Sequence, residues 1–270
     1  MTLNAYAKIT AAAALWSTLG VAASLGGDLI WLAFYRSIFA AVLSLAIAKG
    51  ISRRGVVPGL FLGALFTTYP IAAVYAGVGP AAYLLYTAPL WTTLVLLPAG
   101  ERPNKWGAVA VALVLAAVAV MLQASATGEL SAIGLVAGLA SGLFYGLYIA
   151  TARLISKRGG ARDASYGAMP YTVSVTAPVL LYHAQMNHAF PTASEILAGA
   201  YMGVLGTVLP YSLFASAVEK VEGSRASVVA SSEPVLAALW GYLFFGQAPG
   251  PLTLVAYILL TAAAVIASKK

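Results

Sequence analysis

The sequence predicts an all-α polytopic membrane protein whose ten transmembrane helices form two inverted five-helix repeats, with the N- and C-termini in the cytoplasm. Three observations lead to this prediction: an apolar composition, a regular alternation of apolar runs with short polar breaks, and basic residues confined to alternate breaks. Of the 270 residues, 61% are hydrophobic and only 9% are charged, whereas a soluble domain has about 25% charged residues. Because a helix in lipid must be apolar on nearly all sides, this composition excludes an ordinary soluble protein.

Apolar runs of about 20 residues, the length that crosses a bilayer, can be placed ten times along the chain. Polar residues, glycines or prolines separate one run from the next, and the connections are too short to hold a soluble domain. The predicted helices are 6–24, 28–49, 56–78, 80–99, 104–123, 131–152, 164–184, 195–217, 225–245 and 250–268.

The basic residues give the predicted helices an orientation. Apart from Arg36, which lies inside the second helix, all of the 15 Lys and Arg residues lie at the termini or in alternate connections: Lys8, Lys49, Arg53, Arg54, Arg102, Lys105, Arg153, Lys157, Arg158, Arg162, Lys220, Arg225, Lys269 and Lys270. The positive-inside rule makes that side cytoplasmic. We therefore expect a multi-pass protein of the inner membrane, and we attribute the net charge of +7 to its loops rather than to nucleic-acid binding.

An internal repeat divides the chain. Residues 59–78 share six identities with the segment that follows 140 residues later: Gly59, Gly63, Leu65, Thr67, Pro70 and Val78 match Gly199, Gly203, Leu205, Thr207, Pro210 and Val218. The alignment predicts a first repeat at 1–127 and a second at 128–270. Five helices per repeat is an odd number, so the copies cross the membrane in opposite directions, as in many transporters. Helix breaks are expected at Pro70, Pro89, Pro210 and Pro234.

Short motifs near the end of each repeat and in the second helix resemble those of one family. The second copy has Glu233-Pro234 in its fourth helix, the first has Gly100-Glu101 after its fourth helix, and Phe34-Tyr35-Arg36 matches an aromatic-x-Arg pattern. With these residues the chain resembles the drug/metabolite transporter superfamily, in its ten-helix form with two EamA repeats. It departs from the pattern at Ala88-Pro89 and at Gly246-Gln247.

The resemblance implies a proton-coupled or facilitative secondary transporter that exports small organic solutes by alternating access. The length of the chain and its Tyr-rich middle helices are similar to those of the bacterial aromatic amino acid exporters within the superfamily. Aromatic or neutral amino acids are therefore the expected substrates. The alternatives are export or import of another small metabolite or drug, and, less favoured, a channel or an intramembrane enzyme.

Two ionisable residues lie near the predicted midplane, where charge is costly and indicates function. They are Arg36 and Glu233, approaching from opposite faces. Three interpretations stay open: an ion pair between them, a coupling proton carried by Glu233, or bracing of backbone groups that Pro234 leaves free.

Aromatic and hydroxyl side chains in the middle helices could line a substrate cavity at the repeat interface, although such residues also pack between helices or lie in interfacial belts. The candidate substrate-binding residues are Trp16, Tyr75, Tyr83, Tyr86, Tyr145, Tyr148, Thr207, Tyr211, Phe214, Ser231 and Ser232. Glycines at four-residue steps along the sixth helix predict close helix packing: Gly134, Gly138, Gly142 and Gly146.

The residue inventory argues against catalysis and metal binding. The chain has no Cys, and its two histidines, His183 and His188, do not form a metal-ligand pattern. No phosphate-binding loop is present, and a nucleophile paired with a base is missing from the predicted helices. We expect no cofactor, no metal and no nucleic acid, a small-molecule substrate and the lipid bilayer as partners, and a monomer as sufficient for function.

Overall fold

The computed structural model describes residues 2–48, 50–187, 190–218, 220–221 and 223–269. Lys49, His188 and Lys270 lie outside the described residues. In the described part of the chain the regular structure is entirely helical. In chain order the α-helices are α1 (Thr2–Ser17), α2 (Leu19–Leu25), α3 (Leu29–Ala48), α4 (Val56–Tyr75), α5 (Val78–Leu85), α6 (Ala88–Leu96), α7 (Lys105–Ala126), α8 (Ala132–Ser156), α9 (Ala161–Ser165), α10 (Met169–Asn187), α11 (Ala193–Gly203), α12 (Leu209–Val218), α13 (Gly223–Ala230), α14 (Ser232–Phe245) and α15 (Pro251–Ala267). A 3-10 turn (Arg53–Gly55) precedes α4, and a π-helical turn (Val204–Val208) joins α11 to α12.

The helices make this a multi-pass membrane protein. Seven of those described are long and apolar enough to cross a bilayer: Asn4–Leu25, Leu29–Ala48, Arg53–Tyr75, Lys105–Ala126, Ala132–Ser156, Ala193–Ala217 and Val228–Phe245. Their outer faces carry large apolar side chains such as Val136, Leu197 and Ile258, which are 60–70% exposed. Lipid tails solvate such surfaces, whereas water would not.

Several predicted helices are interrupted near the middle. Thr18 separates α1 from α2, Tyr86 and Thr87 separate α5 from α6, and Ser231 separates α13 from α14. Pro89 lies in the first turn of α6 and Pro234 in the first turn of α14, where a missing backbone N–H costs nothing.

The break expected at Pro70 is not found. Helix α4 runs without interruption from Val56 to Tyr75, with Pro70 inside it. Neighbouring helices can support a membrane helix that has lost one backbone hydrogen bond, and Pro70 is buried against them. Pro210 lies just after the π-helical turn, near the start of α12. Of the four prolines at which breaks were predicted, only Pro210 directly follows a π-helical turn.

Glycines allow two pairs of helices to approach closely. On α4, a Cβ atom added to Gly59 would lie 2.6 Å from Cβ of Tyr171 on α10. On α11, a Cβ atom added to Gly199 would lie 2.3 Å from Cβ of Tyr35 on α3. Backbone therefore meets backbone at both contacts, which is a common packing mode between membrane helices.

The two ends of the helical bundle differ in charge. At one end, called here the basic end, Glu101 bonds to Arg153 Nε (2.5 Å) and to Lys157 Nζ (2.6 Å), and so joins the connection after α6 to the C-terminal end of α8. At the other, called here the acidic end, Asp28 bonds to His183 Nε2 (2.7 Å), and its backbone N–H donates to Glu195 Oε1 (3.0 Å). Charged contacts thus tie the connections together at each end.

Candidate functional site

A cavity of about 410 Å³ lies in the centre of the bundle, at the point where two of the helices are broken. It is framed by α1, the junction of α5 with α6, α8, α12, and the junction of α13 with α14. Its lining is mostly aromatic and contains one acid: Trp16, Leu85, Tyr86, Ala88, Pro89, Tyr145, Tyr148, Ile149, Ala152, Tyr211, Phe214, Ala230 and Glu233.

Aromatic rings form a continuous wall along the cavity. Trp16 meets Tyr211 edge to face, with ring centroids 5.4 Å apart, and Tyr211 meets Tyr148 in the same way at 6.3 Å. Tyr145 stacks on Tyr148 at 6.2 Å, one turn away on α8. These separations are typical of favourable ring pairs. The rings therefore hold one another in place around an apolar chamber.

Glu233 is the acid of this chamber. It is only 7% exposed and lies in the first turn of α14, where the free N–H groups of a helix start favour negative charge. Its Oε2 atom accepts a hydrogen bond from the Tyr86 hydroxyl at 3.1 Å, and the same hydroxyl is 2.9 Å from the Ala230 carbonyl. The breaks at Tyr86 and at Ser231 thus meet at one hydrogen-bonded point.

Arg36 lies beside the chamber and is 3% exposed. Its Nε donates to Thr207 Oγ1 at 3.1 Å, and its guanidinium carbon is 3.8 Å from the centroid of the Phe66 ring. The π-helical turn places Thr207 for this contact. The Thr207 hydroxyl donates to the Met202 carbonyl, five residues earlier, at 2.8 Å, and π-turns of this kind recur at functional sites.

Arg36 and Glu233 do not form an ion pair in this structure. Among the described residues, no nitrogen of Arg36 lies within 4.0 Å of a Glu233 oxygen. Tyr69 and Tyr211 lie in electrostatic range of both charged groups. The two charged residues therefore share two tyrosine neighbours without contacting each other.

The other predicted site residues lie elsewhere. Tyr83 stacks on Tyr257 with centroids 3.8 Å apart, outside the chamber. Tyr75 is 51% exposed and borders a separate cavity at the acidic end. The hydroxyls of Ser231 and Ser232 donate to carbonyls of the preceding turn, at 2.7 Å each, which occupies their donor protons.

Tyr69 does not line the chamber but interacts electrostatically with both Arg36 and Glu233, and the sequence reasoning missed it. It is 2% exposed, and its hydroxyl has no hydrogen-bond partner in the part of the chain that the structure describes. The available signal was its position beside Pro70 in the middle of the third predicted helix; the matching residue of the second copy, Leu209, has no hydroxyl.

The four glycines of α8 lie along α5 and α6, the two halves of the fourth predicted helix, and along the residues just before α5. A Cβ atom added to Gly134 would lie 2.3 Å from the backbone nitrogen of Ala76, and one added to Gly138 would lie 2.4 Å from Leu84 Cδ1. A Cβ atom added to Gly142 would lie 2.1 Å from Thr87 Oγ1, and one added to Gly146 would lie 2.6 Å from Trp91 Cβ. Helix α8 thus lies directly against both halves, α5 and α6.

At the acidic end of the bundle, α5 packs directly against α14. A Cβ atom on Gly79 of α5 would lie 3.0 Å from Cα of Ala238 on α14. Helix α14 ends at Gly246, which has a φ of +64°, and the Gln247 N–H bonds to the Gly241 carbonyl at 3.1 Å, as in a Schellman motif. This cap directs the Gln247 side chain to the start of α5, where its Oε1 accepts from the Val78 N–H at 2.9 Å.

No group of three or more His, Cys, Asp or Glu side chains within the described ranges could hold a metal ion. The polar side chains that line the chamber are tyrosine hydroxyls, the Trp16 indole and the Glu233 carboxylate, and a few such groups in an apolar pocket can orient an organic solute.

Comparison with known proteins finds transporters. The EamA-like transporter family matches residues 132–269, which nearly coincide with the predicted second repeat. An uncharacterized transporter of Archaeoglobus fulgidus is 29% identical over 246 residues, covering 89% of this chain and 87% of that protein. The threonine/homoserine exporter RhtA of Escherichia coli K12 is 25% identical over 198 residues, covering 73% of this chain and 65% of RhtA. One crystal structure shares the fold with a TM-score of 0.61 and 23% identity, covering 99% of this chain and 97% of that chain.

Proposed function

Because the chain belongs to the EamA-like transporter family, we propose that it is a secondary transporter that exports small organic metabolites across the bacterial inner membrane by alternating access. Amino acids, aromatic or neutral, are the favoured substrates. RhtA, which exports threonine and homoserine by its name, supports this class, and the aromatic lining of the chamber suits a solute with an apolar side chain.

The chamber is the observation on which the proposal rests. It is about 410 Å³ in volume, within the range of small-molecule sites of about 300–1,000 Å³. It lies at the broken centres of two helices, where transporters bind their substrates. A channel would instead have a continuous pore with repeated rings of equivalent groups.

The glycine contacts support ten helices in two inverted repeats, 1–127 and 128–270. The contact of Gly59 with Tyr171 corresponds to the contact of Gly199 with Tyr35, and each of them joins one repeat to the other. Matching helices pack alike: α4 on α10, and α11 on α3. In this correspondence the residue of the second repeat that matches Arg36 is Thr172. The first repeat thus contributes the charge of Arg36, and the second contributes that of Glu233.

We infer that the structure faces the cytoplasm. The acidic end is closed by α2, α5 and α14, whereas the chamber lining continues toward the basic end through Ala152 and Phe214. Since the positive-inside rule makes the basic end cytoplasmic, the substrate enters from inside the cell. Both termini then lie in the cytoplasm.

Solute counterflow tests this function. Purified protein in liposomes preloaded with one unlabelled amino acid should accumulate the same labelled amino acid from outside, for at least one of phenylalanine, tryptophan, tyrosine and threonine. A channel dissipates the gradient without such accumulation, and an enzyme changes the solute chemically. Lack of counterflow across these four, and across a wider panel of metabolites and drugs, would refute the transporter proposal.

A further inference from the structure

An open groove of about 640 Å³, called here the α15 groove, lies on the outside of the bundle between α5, α14 and α15. Tyr83 and Tyr257 stack at its base with ring centroids 3.8 Å apart, and the Tyr83 hydroxyl is 3.3 Å from the Thr261 hydroxyl. An exposed apolar surface of this kind marks a contact with a membrane or a partner. The apolar residues along it include Val235, Ala238, Leu254, Ile258, Val265 and Ile266.

The α15 groove lies at membrane depth, because α15 runs antiparallel to the spanning helix α7 along its whole length. At the basic end, Nδ2 of Asn104, just before α7, donates to the Lys269 carbonyl at 3.4 Å. At the acidic end, Oε2 of Glu129, just after α7, accepts from the Thr253 N–H at 3.2 Å. The two helices therefore begin and end at the same levels, and lipid tails surround the groove.

Two cations lie at the basic end of the groove. The Lys269 N–H donates to the carbonyl of the groove residue Ile266 at 3.0 Å, so this lysine directly follows the apolar surface. Its Nζ is 4.9 Å from the centroid of the Trp106 ring, and Nζ of Lys105 is 5.2 Å from the same ring. Both lysines are exposed. No carboxylate within the described ranges lies within 4.0 Å of either ammonium group.

We propose that the α15 groove binds an anionic phospholipid of the leaflet at the basic end. An acyl chain lies along the groove, and the phosphate lies between the ammonium groups of Lys105 and Lys269. From Leu254 to Ile266 the groove extends about 18 Å along α15, enough for the roughly 15 Å of hydrocarbon in one leaflet. Trp106 then lies at headgroup level, where membrane proteins commonly place this residue. The site is additional to the transport function and does not depend on it.

Charge distinguishes this occupant from a second copy of the chain. Two copies related by a twofold axis along the membrane normal would bring their lysine pairs to the same end of the interface, where like charges repel. A phosphate instead neutralises the pair. Two lysines near an anionic headgroup should favour an anionic over a zwitterionic lipid by about 30-fold.

Fluorescence quenching by lipid measures this preference. The chain has no Cys, so Ile258→Cys gives a unique attachment point for a fluorophore at the rim of the groove, at a residue that is 61% exposed. The protein is placed in phosphatidylcholine vesicles that contain a minor fraction of phosphatidylglycerol or phosphatidylcholine with brominated acyl chains, which quench the fluorophore on contact. Brominated phosphatidylglycerol should quench with an apparent affinity about 30-fold higher. At Val136→Cys on α8, which is 68% exposed, the two lipids should quench equally.

Removal of the two cations tests the headgroup contact. Lys105→Gln combined with Lys269→Gln should lower the affinity for phosphatidylglycerol by about 30-fold, to that for phosphatidylcholine. Arg53→Gln combined with Arg158→Gln is the matched control. It removes the same charge from exposed positions before α4 and after α8, away from the groove, and should keep the preference.

Filling the groove tests the acyl-chain contact. Ala262 lines the groove, so Ala262→Phe should reduce quenching by both brominated lipids at Ile258→Cys. Ala119→Phe adds the same bulk at an exposed position of α7 and should leave quenching unchanged.

Three results would overturn the proposal. Equal quenching by the two lipids at Ile258→Cys would show ordinary lipid contact, and an unchanged preference in the double lysine variant would remove the headgroup site. Quenching at Val136→Cys but by neither lipid at Ile258→Cys would show that a second copy of the chain covers the groove. None of these measurements uses solute transport, so the proposed function is tested separately.

Discussion

The hydrogen bond between Gln247 and α5 should control how often the acidic end opens. The Val78 N–H, at the first position of α5, donates to Gln247 Oε1 at 2.9 Å. A helix start has no internal partner for this N–H, and water replaces the side chain when the end opens. Gln247→Ala therefore weakens the closed state by the net value of one neutral hydrogen bond, about 0.5–1.5 kcal/mol, which increases the open population about 2- to 12-fold.

Cysteine labelling measures this population directly. The chain has no Cys, so a single Ala82→Cys substitution creates a unique thiol. Ala82 lies on α5, has 0% exposure and packs with Val78 and Ala237 under the closed end. A membrane-impermeant maleimide added outside intact cells reaches this thiol only after the acidic end opens. The initial labelling rate should rise about 2- to 12-fold in Gln247→Ala.

Two comparisons make the result decisive. Gln247→Glu keeps the acceptor and adds charge at a helix start, so it should slow labelling below the rate of the parent. Gln123→Ala removes an exposed glutamine from α7 and should leave the rate unchanged. Equal labelling rates in Gln247→Ala and the parent would refute the idea that this hydrogen bond holds the end closed.

Three further predictions concern stability. Gly142→Ala should lower the free energy of unfolding in detergent by about 1–3 kcal/mol, because the added methyl overpacks the contact with α5 and α6. The ammonium of Lys157 donates to Glu101 and holds the pKa of that carboxyl below its usual range. The pair therefore stabilises the fold at neutral pH and loses this effect as the pH falls through the lowered pKa. The thermal midpoint of Glu101→Gln should accordingly lie below that of the parent at neutral pH and converge with it in acid. Glu195→Ala removes both the cap of α11 and the bond to the Asp28 N–H, and should cost about 1–2 kcal/mol in the same unfolding measurement.

Each of these has a control. Val136→Ala changes an exposed position of α8 that is 68% exposed and should shift stability by less than about 0.5 kcal/mol. A constant difference between Glu101→Gln and the parent across the whole acid range would contradict the pairing. For the helix cap, Glu195→Gln keeps an acceptor and should lose less than Glu195→Ala; an unchanged free energy of unfolding in Glu195→Ala would show that the cap contributes little.

The helical segments could be read from the sequence because lipid imposes a simple condition on composition and length. Each predicted segment contains helix, and Trp16, Tyr86 and Tyr211 do meet at one cavity. The condition acts on whole segments, so it does not depend on details of packing. The number of membrane crossings and their orientation stay predictions.

Side-chain directions could not be read in the same way, because the helices are not continuous. Tyr83 and Tyr86 are three residues apart and would share a face of an unbroken helix, but the break at Tyr86 separates them, and Tyr83 turns away to stack on Tyr257. The contact of Arg36 with Thr207 joins residues 171 positions apart. No local pattern encodes such a distance.

The π-helical turn at Val204–Val208 has a consequence for how this chain can vary. A π-turn accommodates one residue more than an α-turn does, and one residue corresponds to about 100° of helix rotation. Everything after it, including Tyr211 and Phe214, is therefore in a different phase from the corresponding residues of α4, where the helix is regular. Deleting a single residue within the turn would rotate both rings away from the chamber without changing any side chain. The chemistry of the chamber thus depends on residue count in this turn as much as on residue identity.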